Sequence, residues 1–66
     1  MLVMTPIFIQ VGTTVYVGGG LHLAQFAIDW ATRIGKEYTV LPFGVQFSFS
    51  SVDMASQAYD LLRSMA

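Results

Sequence analysis

Residues 6–17 read PIFIQVGTTVYV, two runs of β-branched and aromatic residues split by Gly12-Thr13. Ile7-Phe8-Ile9-Gln10-Val11 and Thr14-Val15-Tyr16-Val17 are strand formers by residue type. A two-residue connection with glycine first suits a type II′ turn, so the stretch reads as a hairpin. Apolar residues fall on both of its faces. That predicts a strand pair covered on both sides, or on one side by a partner.

Working outward from the hairpin, Leu21–Ile34 has helical periodicity and ends at Gly35, a residue suited to the left-handed stop position. At 100° per residue, His22, Gln25, Asp29, Thr32 and Arg33 share a polar arc about 100° wide. The remaining nine positions are apolar and cover about 220°, roughly twice what one sheet face requires. Tyr38–Leu41 reads as a short strand and Pro42-Phe43-Gly44 as a turn. Val45 to Ser50 then alternates, with Val45, Phe47 and Phe49 on one side and Gln46, Ser48 and Ser50 on the other. Ser50 or Ser51 caps a last helix over Val52–Met65, with Asp53 placed for a capping box from Ser50.

The order ββαββα predicts one α+β domain over residues 1–66, with a four-stranded antiparallel sheet and two helices on one face. A shift of 31 residues superposes Leu21 on Val52, Ala24 on Ala55, Ala27 on Ala58 and Asp29 on Asp60. This suggests an internal pseudo-repeat, unit one at about 6–35 and unit two at about 36–66.

At 66 residues the chain holds one core, and a domain this small buries only about 60% of its unfolded surface. Such domains usually need a disulfide, a metal or a partner chain. There is no cysteine, and the single His22 leaves no structural zinc set. Association is the remaining device. Hydrophobic residues make up 55% of the sequence and charged residues 11%, against globular averages of about 45–50% and about 25%. Apolar surface is therefore expected outside the core, where it marks contact sites.

Residues 1–28 carry no charge and are long enough to span a bilayer. Pro6, Gly12 and the Gly18-Gly19-Gly20 run break the stretch as a helix, and no basic residue precedes it. A cytoplasmic location is the expectation, and a membrane-associated protein the alternative. Three basic residues and a net charge of −1 give no phosphate-binding stripe, which argues against nucleic acid.

Gly18, Gly19 and Gly20, between a strand and a helix, could cradle an anion with backbone N–H groups. No G-x-G-x-x-G or G-x-x-x-x-G-K-[ST] pattern is present, and no Lys or Arg lies near. A tight reversal explains the glycines more simply. His22 and Asp29, seven apart on a helix, are about 10 Å apart along the axis, too far for an acid–base pair. Asp29 with Arg33 at i,i+4 is an ordinary surface pairing. No catalytic, metal or cofactor set emerges. The expectation is a non-catalytic protein–protein interaction module. It would self-associate, most simply as a homodimer, and act as a regulator, adaptor or inhibitor by occupying another protein's surface. Phe26, Trp30 and Phe43 are the candidate anchors, because contact hot spots favour large aromatics. A small-ligand or anion site at Gly18–Gly20 is the alternative.

Overall fold

The computed structural model describes residues 6–65. The elements are β1 (Ile7–Val11), β2 (Thr14–Gly18), α1 (Leu21–Ile34), β3 (Thr39–Leu41), β4 (Gly44–Ser48) and α2 (Val52–Met65). Residues 1–5 and 66 of the expected domain, and the start of the uncharged 1–28 stretch, lie outside the described residues. The strands form one antiparallel sheet in the order β1-β2-β4-β3. Both helices pack on one face, giving the α+β architecture that the order of elements predicts. No helix among the described residues is long and apolar enough to cross a membrane.

Local chemistry sets the element ends. Val11 faces Thr14 across Gly12-Thr13; Gly12 has φ 58°, and Thr13 is not left-handed, as a type II′ turn requires. Gly35 ends α1 at φ 73°. Its N–H donates to the Thr32 carbonyl (3.3 Å) and the Lys36 N–H to that of Ala31 (2.7 Å), the paired bonds of a Schellman motif. At the start of α2, the Met54 N–H donates to Ser51 Oγ (3.2 Å), so Ser51 is the cap. Asp53 is then one position too early for a capping box, and the Ser50 hydroxyl turns to Met54 Sδ (3.2 Å) instead.

Strand register decides which side chains meet the helices. Val15 stands opposite Phe47 and Val17 opposite Val45, and all four are buried. Phe8 and Gln10 of β1 share their side, being opposite Val17 and Val15. α1 lies over β2 and β4, contributing Ala27, Trp30 and Ala31; α2 lies over β1 and β2, contributing Ala55, Ala58 and Leu62. The Gln10 amide donates to Ser56 Oγ (2.9 Å), and the Tyr59 hydroxyl donates to the Phe8 carbonyl (3.3 Å). The two helices are therefore not equivalent. The 31-residue correspondence does not extend to packing, since no helix sits over β3.

Two expectations at the second hairpin change. Tyr38 precedes β3, and Gly44 is not a turn residue but the buried first position of β4, opposite Gly18. The turn is Pro42-Phe43 alone. A Cβ on Gly44 would run into the Val17 carbonyl and lie 2.9 Å from the Tyr16 ring; one on Gly18 would sit 2.7 Å from the Phe43 carbonyl. Tyr16 lies across this glycine pair on the sheet face opposite the helices. The glycines serve close approach of backbone and ring.

Gly44→Ala is expected to lower stability by about 1–3 kcal/mol, read as a fall in the urea midpoint at constant m-value. Adding Tyr16→Ala should not restore it, because the Val17 carbonyl still blocks the methyl. Ser51→Ala should cost about 1 kcal/mol and Ser50→Ala close to nothing; the reverse order in the same titration would reinstate Ser50 as the cap.

Candidate functional site

Among the described residues, nothing covers the face of the sheet away from the helices. Register sets Ile9, Tyr16, Gln46 and Thr39 in one row across it and Ile7, Gly18, Gly44 and Leu41 in the next. Val11, Thr14 and Ser48 make a third row, and Val11 is 71% exposed. None of these side chains carries a charge. An antiparallel sheet with one wet face normally carries polar side chains there. Here the β1 positions are Ile7, Ile9 and Val11, and all three are exposed.

The end of the sheet at Gly18–Gly20 opens into a groove of about 730 Å³. It exists because α1 sits over β2 and β4 and leaves β3 bare, so Val40, which points to the helix side, is 65% exposed. Leu21, Ala24 and Ile28 of α1 form one wall, and Val40, Pro42 and Phe43 form the other. The groove turns around the end of the sheet, where Ile7, Leu41 and Tyr16 join its lining. No described lining residue is an Asp, Glu, Lys, Arg or His.

The expected anchors separate. Phe43, at the tip of the Pro42-Phe43 turn, is 82% exposed and stands on the groove wall. Phe26 is half-buried against the core. Trp30 is only 7% exposed, and its ring meets Phe47 edge-on with centroids 5.3 Å apart and planes at 78°. That arrangement is favourable for two aromatic quadrupoles. Trp30 is thus a core residue, and the surface role expected of it is corrected. Its place beside the polar arc of an isolated helix misleads, because Phe47 reaches up from β4 to meet it.

Gly18, Gly19 and Gly20 have three different tasks. Gly18 ends β2 beneath the Tyr16 ring, Gly19 turns the chain at φ 98°, and Gly20 precedes α1 with no side-chain cap. Gly19 and Gly20 line the groove. His22 and Asp29 are both exposed on α1, and Asp29 accepts from Gln25 Nε2 (3.2 Å) rather than from Arg33. Among the described residues no three His, Asp or Glu side chains converge.

Of the lining residues, sequence reasoning singles out only Gly19, Gly20 and Phe43; Tyr16, Leu21 and Val40 are among those that escape it. Tyr16 and Val40 read as ordinary strand residues. The signal available for Tyr16 is a tyrosine two positions before Gly18, but its partner Gly44 becomes visible only through strand register. No protein-family model matches the chain, and no curated protein or solved structure shows significant similarity to it.

Trp30 fluorescence should be blue-shifted and resist acrylamide quenching in the native protein, becoming red-shifted and quenchable in urea; ready quenching in the native state would place the indole at the surface. Phe43→Ser, at an exposed turn, should change unfolding free energy by no more than about 0.5 kcal/mol.

Proposed function

We propose that this chain is a non-catalytic protein–protein interaction module that self-associates and acts by occupying a surface of another protein, as a regulator, adaptor or inhibitor. The observation that carries the reading is the uncharged sheet face, which no described element covers. Ile7, Ile9 and Val11 stand along β1 on it beside Tyr16, and its nearest charged side chains, Lys36 and Glu37, lie at the far border beside Thr39, Gln46 and Ser48. Burying apolar area is favourable by about 25 cal/mol per Å², whereas charged groups brought along would oppose the contact.

The core explains why this surface remains outside. Four of its six helical residues are alanines (Ala27, Ala31, Ala55, Ala58), which bring the helices close to the sheet but bury little area each. Among the described residues, twelve large apolar side chains are exposed, while six (Val15, Val17, Trp30, Val45, Phe47 and Leu62) are buried and Phe8, Leu23, Phe26, Ile28, Phe49 and Tyr59 pack partly against them. The apolar stock of the sequence exceeds what one copy can bury.

A second copy is the simplest cover, because two sheets stack about 10 Å apart with their strands near-aligned. The sheet projects about 300 Å² at ordinary strand spacing, which is small against the roughly 800 Å² per partner of a standard interface. Self-association should therefore be weak and the face available for exchange with a tighter protein partner. Sedimentation from about 10 to 300 μM should show a concentration-dependent dimer, and Ile9→Lys should weaken it by at least about tenfold without unfolding the chain. A monomer throughout that range would sink the self-association reading.

A further inference from the structure

We infer that the groove at the Gly19–Gly20 end of the sheet is a binding site for a neutral, mostly apolar small molecule that carries one hydroxyl or carbonyl oxygen. The inference goes beyond self-association and does not require it. Its volume of about 730 Å³ lies within the roughly 300–1,000 Å³ of small-molecule sites. Leu21, Ala24 and Ile28 face Val40 and Phe43 across it, so apart from Gln25 its walls are hydrocarbon and aromatic.

Charge selects the class of ligand. No lining side chain could neutralise a carboxylate, phosphate or ammonium group, so a charged ligand would lose hydration without gaining a counter-ion. A neutral molecule avoids that cost. An anion held by backbone N–H groups at Gly18–Gly20 is the competing occupant of the same place.

Tyr16 supplies the polar point of recognition. Its hydroxyl lies 2.6 Å from where a Cβ on Gly18 would stand and 2.8 Å from where one on Gly44 would stand, so two glycines together make room for it. Packing over the glycine pair needs only a phenyl ring. The hydroxyl makes no hydrogen bond to another side chain or to backbone among the described residues. It is a donor and acceptor set at the end of a mostly apolar groove, whose other polar lining side chain, Gln25, already donates from Nε2 to Asp29.

Shape separates this occupant from a second copy. The uncharged sheet face is broad and cannot enter a concave groove. The most exposed convex aromatic, Phe43, is already one of the groove's own walls.

The test uses the 15N-labelled full chain titrated with 1-octanol and, separately, with octanoate. Octanol should shift the amides of Gly19, Gly20, Ala24, Leu41 and Gly44 saturably, with octanoate markedly weaker. Tyr16→Phe should keep the fold, seen in an otherwise unchanged amide spectrum, and weaken octanol about three- to tenfold, the effect of one hydrogen bond. Leu21→Glu changes a residue 81% exposed at the helix start, so it should fold normally while weakening octanol by placing charge at the groove mouth. Octanol shifts spread over Ile9 and Val11 and absent from the groove would overturn the inference. So would octanoate binding as tightly as octanol, or equal octanol affinity in the Tyr16→Phe protein. Amides of Gly19, Gly20 and Ala24, which lie off the sheet face, that shift with protein concentration alone would assign the groove to a second copy, and this too overturns it. Self-association measured by sedimentation stands or falls independently of all these outcomes.

Discussion

Everything in this fold rests on the pairing of β2 with β4. The two strands belong to different hairpins, and Val15 opposite Phe47 joins residues from the two halves of the chain. Neither hairpin alone has enough apolar face to be stable in water. Side by side they present Val15, Val17, Val45 and Phe47 as one buried floor, on which α1 rests directly and against whose β2 side α2 packs. The same ladder governs the opposite face. Its last pair is Gly18 with Gly44, and the absence of Cβ atoms there lets the Val17 and Phe43 carbonyls approach and lets Tyr16 lie flat. One ladder thus sets the core on one side and the end of the groove on the other.

Much of this was legible in the sequence, where the signal is local. The limits of α1 and α2 match at both ends, because Gly35 and the serines before Val52 are strong boundary markers and the periodicity between them is clear. The first hairpin follows from Gly12-Thr13 and the β-branched runs beside it. Local signals fail where two readings use the same residues. A glycine after Pro-Phe reads as part of a turn, and only register shows that Gly44 is paired with Gly18 in the sheet. Ser50 and Ser51 are equally good caps on paper, and the choice depends on where the helix axis falls after β4.

The candidate site was less legible, because it comes from lateral placement. Periodicity says which face of a helix is buried but not which strands it lies over. α1 covers β2 and β4 and α2 covers β1 and β2, so β3 is left bare and Val40 becomes a groove wall. The general surplus of apolar residues was visible in composition, and its size follows from the alanines at the helix–sheet contacts. Its division into a broad face and a concave groove was not visible. Phe43 and Trp30 show the same limit: both are large aromatics near a plausible surface, and only Phe47, close in space and distant in sequence from Trp30, separates them.

The Tyr59 hydroxyl bears on how copies of this chain can assemble. In a two-residue hairpin Val11 and Thr14 exchange hydrogen bonds, so by alternation the Phe8 and Gln10 backbone groups point away from β2, toward the free edge of the sheet. Tyr59 reaches over that edge to the Phe8 carbonyl, and Arg63 lies 5.4 Å from the Tyr59 ring centre. At the other edge β3 is three residues long and runs into Pro42. Among the described residues, Tyr59 thus occupies one acceptor of the β1 edge and β3 offers only a short one, two features that disfavour strand addition, whereas stacking through the uncharged face, as proposed, would close after one event. Both edges are of the kind that disfavours open-ended, fibril-like growth of a chain rich in apolar surface.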